Sequence, residues 1–386
     1  MMLGFLLARA GVDVVVLEKH ADFFRDFRGD TVHPSTLELM YELGMLDQFL
    51  QLPHQEVHKM AGVFNGCPAT LADFSHLPTH CKFIAFMPQW DFLNFLSRQA
   101  QQFATFRLRM EHEVVDLMFA GERVAGVRVK TPEGENEIRA DLIVGCDGRD
   151  STVRDLAGFR VREFGVAIDV LWMRISKRGQ DPGQTLGFFR HGRILVLLDR
   201  GDYWQCGYVI PKGGFGAIQA SGLKSFQTEL VSMADFLRDR VNDLDDWSRI
   251  KLLTVQINRL EKWCRDGLLC IGDAAHAMSP AGGVGINLAI QDAVATANLL
   301  AEKLRRGPVS TVDLDEVRQR REWPTRIIQS VQTFIHRRVV TGRQSSDSTK
   351  LPLVPRLMRD FPVLQRIPAR FIGLGPRPEH VQSPKV

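Results

Sequence analysis

The stretch that most constrains the fold is Cys270-Ile271-Gly272-Asp273-Ala274-Ala275-His276, running on through Pro280 to Gly282-Gly283-Val284-Gly285-Ile286-Asn287. Residues 268–271 form a short apolar run that reads as a buried strand. Gly272-Asp273 is a turn pair that stops it. A glycine-rich loop follows, then a helix-like segment over residues 288–304. A strand end, one carboxylate and a flexible loop opening onto a helix N-terminus suit a ligand with both polyol and phosphate groups. The Asp273 carboxylate can accept hydrogen bonds from ribose or ribitol hydroxyls. The glycines let backbone N–H groups approach an anion, and the helix N-terminus adds partial positive charge. Taken alone, Gly-Asp is equally what an ordinary β-turn-α connection contains.

The start of the chain reads as part of a βαβ unit. Met1-Met2-Leu3, Leu6-Leu7 and Ala10 make an apolar helix face, with Gly11 as its C′ cap. Residues 12–17 are a buried, β-branched strand. Ala8-Arg9-Ala10 imitates a leader cleavage site, but no basic n-region precedes it and the apolar stretch is short. Glu18 follows the strand directly. In a dinucleotide-binding fold an acid there bonds ribose hydroxyls, and a surface charge ending a strand is the plainer alternative.

Two further helices are expected, over residues 34–50 and after Met87-Pro88-Gln89. Residues 107–130 alternate as strands with a turn at Ala120-Gly121. Residues 164–260 change texture. Strand-like runs at 166–175, 185–198, 203–210 and 250–257, with a helix over 224–241, predict an antiparallel sheet inserted into the nucleotide fold. Such insertions make natural substrate covers. Residues 312–340 predict a long charged helix, most simply a solvated face. The proline-rich tail after Ser345 reads as irregular.

A chain of 386 residues has room for two or three domains. A net charge of only +4 implies no strong nucleic-acid field. Cys67, Cys81, Cys146, Cys206, Cys264 and Cys270 form no C-x-x-C pair and no metal-like cluster, which fits a reducing cytoplasm. No apolar run approaches membrane-spanning length.

Gly-Asp-Ala-Ala-His, Pro280, Gly283-Val284-Gly285-Ile286-Asn287 and Gln291-Asp292-Ala293 together resemble the second FAD fingerprint of the flavoprotein aromatic hydroxylases, the para-hydroxybenzoate hydroxylase type. The run from Asp141 through Asp147-Gly148, with Ser151 and Arg154, resembles that family's Asp-Gly motif. Arg28-Gly29 with Pro34-Ser35-Thr36 and Leu43-Gly44 resembles its segment after the second strand. The resemblance covers about residues 1–345.

It implies an α/β, Rossmann-like FAD-binding domain carrying an inserted antiparallel-sheet substrate domain. The expected division is 1–160 and 263–345 for FAD, 161–262 for substrate, and 346–386 as tail. The family's first strand and glycine loop should lie about 20 residues before Glu18. Counting back passes residue 1, so an N-terminally truncated domain is expected, with a longer form as the active species. The implied chemistry is FAD reduced by NADPH or NADH, reaction with O2 through a flavin hydroperoxide, and transfer of one oxygen atom to a small aromatic substrate. The cofactor carries that chemistry, and the protein binds, orients and excludes water.

Implied cofactor contacts are Asp273 to the ribityl hydroxyls, Gly283, Val284 and Gly285 by backbone N–H near the isoalloxazine, and Pro280 as the wall facing it. Asp147 is expected by the pyrophosphate and nicotinamide path. Glu18 and Arg28 flank the adenosine side, and Gln89 meets the flavin side chain. His276 is expected to be structural. No catalytic base is identified. Tyr203 and Tyr208 either face the pocket or fill the sheet, and Trp172, Trp204 and Phe188 either line it or form core. A flavin-dependent reductase or halogenase is an alternative, although Trp90, Trp172, Trp204 and Trp247 do not form the halogenase tryptophan motif. A remnant fold that binds no FAD is the other.

Overall fold

Two short parallel strand pairs carry the nucleotide-binding part of the fold. Val14–Leu17 runs parallel to Phe106–Arg109, and Ile143–Gly145 runs parallel to Leu268–Cys270. The structure, a computed structural model, describes residues 1–24, 31–183, 185–190, 192–341 and 351–386. No strand among the described residues joins the two pairs. The first helix, Met2–Arg9, ends at Gly11, whose φ of +77° is the left-handed turn expected of it.

At the centre lies a core helix, Val284–Arg306. It begins four residues before the sequence expectation, because Gly285 falls in its first turn. Its Leu300 shares the largest hydrophobic cluster with Leu6, Leu37, Phe49, Phe92 and Trp263. Here one expectation is corrected. Residues 281–306 are long and apolar enough to cross a membrane by length and composition. Of its most apolar 18-residue window, 72% is buried inside the fold, since a central helix meets apolar neighbours on most sides.

The second sheet has seven strands in the order Lys251–Leu253, Ile168–Ser176, Tyr203–Pro211, Arg193–Asp199, Leu186–Arg190, Lys59–Phe64, Cys67–Asp73. The run over 185–198 is a hairpin whose turn includes Gly192 at φ +72°. Two of the seven strands come from residues 59–73, which the sequence reading left unassigned. One sheet face is packed by Leu171, Met173, Leu195, Trp204, Cys206 and Tyr208 against Phe226 and Leu230 of the helix Leu223–Met233.

Two expectations for the C-terminal third are corrected. The long helix Thr311–Thr341 is not merely solvated. Arg321, Thr325, Gln329, Gln332 and His336 recur at helical spacing and are buried. The tail is not simply irregular either. It forms helices Leu353–Asp360 and Arg366–Gly373. Pro352 is the N-cap of the first, a place where a missing N–H costs little. The last residues return to the first helix, where Val386 N donates to Arg9 O at 3.1 Å.

Arg321 is fully buried. Its Nε donates to Asp292 Oδ1 at 2.9 Å and its Nη1 to Glu379 Oε1 at 3.0 Å. Glu379 also accepts from Arg320 Nε at 2.9 Å. Removing one partner of a buried pair leaves an uncompensated charge and costs about 3–5 kcal/mol. Glu379→Ala is therefore expected to lower the unfolding free energy by about 3 kcal/mol, since Arg321 keeps Asp292. Urea denaturation checks this, and an unchanged midpoint would show that the tail adds no stability through this contact.

Candidate functional site

Both motif loops leave the C-terminal ends of neighbouring parallel strands. Ile143–Gly145 leads into Cys146-Asp147-Gly148-Arg149, and Leu268–Cys270 leads into Gly272-Asp273. Open α/β sheets take their ligands at this edge. Arg149 Nη2 lies 3.9 Å from Asp273 Oδ2, so the two loops face each other. The Asp147 carboxylate is occupied inside its own loop. It accepts from Ser151 Oγ at 2.5 Å and Val153 N at 3.0 Å, and so shapes the start of the helix Thr152–Leu156. Arg149 is the member of this loop that reaches across. Sequence reasoning missed it, and its only local signal was a cation just after Asp-Gly.

The glycine loop is built around Gly282 and Gly283, at φ +81° and +63°. A Cβ on Gly283 would stand 2.2 Å from Thr31 Oγ1. That hydroxyl instead donates to Gly283 O at 3.1 Å. The core helix starts here with no side-chain cap. Its first N–H groups, those of Val284 and Gly285 among them, have no intrahelical acceptor and carry the positive end of the dipole. Asn287 ties this loop to the segment after Asp30. Its Oδ1 accepts from His33 N at 2.9 Å and Thr36 Oγ1 at 2.7 Å. Its Nδ2 donates to the carbonyls of Thr31 and Gly283, each at 3.1 Å. Thr31 and His33 were not singled out in the sequence, because nothing local marks them.

The remaining candidates are placed around these loops. Arg28 lies outside the described residues. Gln89 opens the helix Gln89–Ala100, just after the strand Ile84–Phe86 that pairs with Thr31–Val32. Glu18 ends its strand and accepts from His20 N at 3.1 Å. The chain thus brings Asp273, Arg149 and Asp147 to one edge, and Pro280, Gly283, Val284 and Gly285 to one loop.

His276 is buried, with Nε2 2.6 Å from Asp292 Oδ2 and its ring 5.0 Å from that of Trp263. Asp292 Oδ2 also accepts from Gly272 N at 3.1 Å. Burial alone would raise the Asp292 carboxyl, but His276 and Arg321 hold it below the usual range.

The second sheet offers its other face. One transverse row runs Trp172, Gly207, Val196, Gly187, Gly62, Ala69 across six strands. A Cβ on Gly207 would come within 3.0 Å of the Trp172 ring, and one on Gly62 within 2.8 Å of the Phe189 ring. Phe189 stacks on Phe64 at 4.4 Å with an 8° tilt. Rings laid over glycines make a broad, flat apolar floor, and Trp172 and Phe189 stay partly exposed. Tyr208 points the other way and bonds Glu229. Trp204 also faces the helix side. Tyr203 lies under Arg174 at the sheet's end, 4.0 Å from guanidinium to ring.

The FAD binding domain family matches residues 1–330. This chain belongs to that family, the FAD-dependent aromatic hydroxylases. It is 32% identical over 351 residues to the 6-methylpretetramide 4-monooxygenase of Streptomyces rimosus, covering 89% of this chain and 83% of that one. It is 29% identical to the 12-dehydrotetracycline 5-monooxygenase/anhydrotetracycline 6-monooxygenase of S. rimosus subsp. rimosus. That match covers 76% of this chain but only 59% of the longer relative. In fold it resembles p-nitrophenol 4-monooxygenase PnpA from Pseudomonas putida DLL-E4, with a TM-score of 0.75 at 20% identity, covering 97% and 95%. The chain is thus an FAD-dependent monooxygenase of a small molecule. Flavin-dependent halogenases share the fold, but the relatives favour the monooxygenase reading.

The glycine loop yields a paired prediction. Gly283→Ala forces a left-handed φ, at about 1–2 kcal/mol, and a clash with Thr31 besides. Gly285→Ala adds a Cβ 3.7 Å from the nearest atom, that of Met278. Chemical denaturation without added FAD should find the first destabilised by about 2 kcal/mol or more and the second nearly neutral. Equal effects would mean that the loop's conformation is not what requires Gly283.

His33 yields another. Its Nδ1 donates to Ile372 O at 2.8 Å, and burial lowers its pKa from 6.5 to about 4. The unfolded chain therefore binds a proton below pH 6.5 that the folded chain refuses. Folding stability should fall as the pH drops from 6.5 to about 4, by up to about 1.4 kcal/mol per pH unit from this residue. His33→Gln should lose that component of the slope, read from denaturation midpoints between pH 4.5 and 7.5. An identical slope would mean that His33 titrates normally.

Proposed function

We propose that this protein hydroxylates a flat aromatic substrate laid on the floor of Trp172, Phe189 and Phe64, using FAD held between the strand-end loops and the glycine loop, with NAD(P)H as reductant. The observation that carries the reading is the meeting of Arg149 and Asp273 at the strand ends, within the family's matched span. The residues fit the group. Gly282 and Gly283 hold a left-handed turn, packed at Gly283 against Thr31, beside an uncapped helix N-terminus. Val284 and Gly285 would offer backbone N–H groups to a flavin carbonyl. Asp273 would accept from the ribityl hydroxyls. Arg149 would meet the pyrophosphate, with Asp147 holding its loop. Pro280 would face the ring system. Glu18, Arg28 and Gln89 would serve the adenosine and side-chain end.

When bound and reduced, FAD supplies the activation of O2, one atom of which enters the substrate while the other leaves as water. The transverse row carries no titratable side chain, so this face orients the substrate and excludes water. Arg174, exposed at one end of this face and paired across the strands with Gln205, would meet substrate oxygens. The six cysteines are all free thiols, which supports a reducing, cytoplasmic setting.

The test begins with the visible flavin spectrum of the purified protein. It continues with O2-dependent NADPH oxidation, with 6-methylpretetramide and anhydrotetracycline as trial substrates. Asp273→Ala removes a charge-assisted acceptor and should weaken FAD by about 2 kcal/mol in a fluorescence titration. Unchanged FAD affinity in that variant would remove Asp273 from the site. A colourless wild-type protein that takes up no FAD would overturn the reading as a whole.

A further inference from the structure

One face of the long helix Thr311–Thr341 is addressed to the loop that precedes the core helix. Gln329 Nε2 donates to the carbonyls of Asn258 and Ala277, at 2.7 and 3.2 Å. Gln332 Nε2 donates to Ser279 O at 3.0 Å and Ala281 O at 3.1 Å. Its Oε1 accepts from Ser279 N at 3.1 Å. His336 Nε2 lies 2.9 Å from Ser279 Oγ, which itself accepts from Ala281 N at 3.2 Å. Gln329, Gln332, His336 and Ser279 are all at least 96% buried.

The carbonyls of Ala277, Ser279 and Ala281 and the Ser279 N–H are thus satisfied by side chains of the long helix. Buried backbone groups need partners, and here those partners decide the loop's shape. Gln332 holds Ser279 by both its N–H and its carbonyl, so neither the peptide before Ser279 nor the one before Pro280 can rotate without breaking a contact. His336 adds a third grip through the hydroxyl. Burial lowers His336 to about 4, so it is a neutral hydrogen-bonding group at neutral pH.

We propose that Gln332 and His336 are positioning residues for the flavin, acting through Ser279 and Ala281 to set the Pro280–Gly283 turn against the isoalloxazine. This rests on the assignment of that turn to FAD made above. Neither residue touches the cofactor on this reading. Their effect is to fix where the turn's proline and its backbone N–H groups stand.

The test compares wild type with Gln332→Glu, His336→Leu and His336→Gln. The readouts are FAD titration of the apoprotein, the flavin absorption spectrum and the flavin reduction potential. Gln332→Glu keeps the volume and the acceptor for Ser279 N, but sets a carboxylate against two carbonyls. His336→Gln places an amide where Nε2 stood. Gln332→Glu and His336→Leu are expected to raise the FAD Kd about tenfold or more and to shift spectrum and potential. His336→Gln is expected to restore all three. If wild type binds FAD and both damaging variants match it in Kd, spectrum and potential, the inference is overturned. It is also overturned if His336→Gln is as impaired as His336→Leu, since shape and not hydrogen bonding would then matter. Should Gln332→Glu fail to fold, the two His336 variants decide alone. If wild type takes up no FAD, the flavin assignment of the turn falls, and this inference falls with it.

Discussion

The buried carboxylate of Asp292 organises the ligand end of this fold. One of its oxygens accepts from Gly272 N and lies against His276, and the other accepts from Arg321. A buried charge is expensive unless its lone pairs are matched. Matching this one draws together residues far apart in sequence: the turn at 272–276, the core helix, the long helix and, through Arg321, Glu379 of the tail. Asp273 follows Gly272 directly. The position of the carboxylate assigned to the flavin is therefore set from a neighbouring helix, not by the turn alone. His276, expected from the sequence to be structural, serves here as a partner for Asp292.

The two ends of the site are held by different physics. Around the glycine loop, specific hydrogen bonds from Asn287, Gln332 and His336 fix backbone positions. On the sheet, shape is fixed by volume. Gly207, Gly187 and Gly62 leave room that the Trp172 and Phe189 rings fill by lying flat. Any side chain added to that row would lift a ring off the sheet and roughen the floor. Behind the floor, Trp204, Phe226 and Leu230 are fully or almost fully buried, so the sheet has little freedom to yield.

What was legible in the sequence was local. Residues 268–271, the Gly272-Asp273 turn and the glycine loop carry their conformations in consecutive residues, and Gly11 marks a helix end the same way. The polar stripe of the long helix was not legible. Arg321, Gln329, Gln332 and His336 have the composition and period of a solvated face, and only the core helix and tail opposite Arg321 and residues 277–281 opposite the others make that face a buried one. The tail misled because proline content reads as irregularity, whereas Pro352 and Pro362 stand at helix starts. The floor depends on the register of five strand pairs, and register between distant segments leaves no mark on a single sequence. The family resemblance supplied the flavin, but it could not supply Arg149, Thr31 or the floor.

These two halves are also joined, and the joint fixes their separation. Gly283 is bonded to Thr31, and Thr31 pairs across the strands with Phe86. Phe86 belongs to a buried cluster with Ile84, Phe74, Ala369 and Leu374, against which Leu198 and Met60 of the seven-stranded sheet are packed. The loop and the sheet therefore share one small core to which the tail helix Arg366–Gly373 contributes. On the proposed reading, the distance from flavin to substrate is set by this core. Close-packed cores shift in discrete steps more readily than they deform. Which carbon of the substrate faces the oxygen would then follow from packing that neither ligand touches.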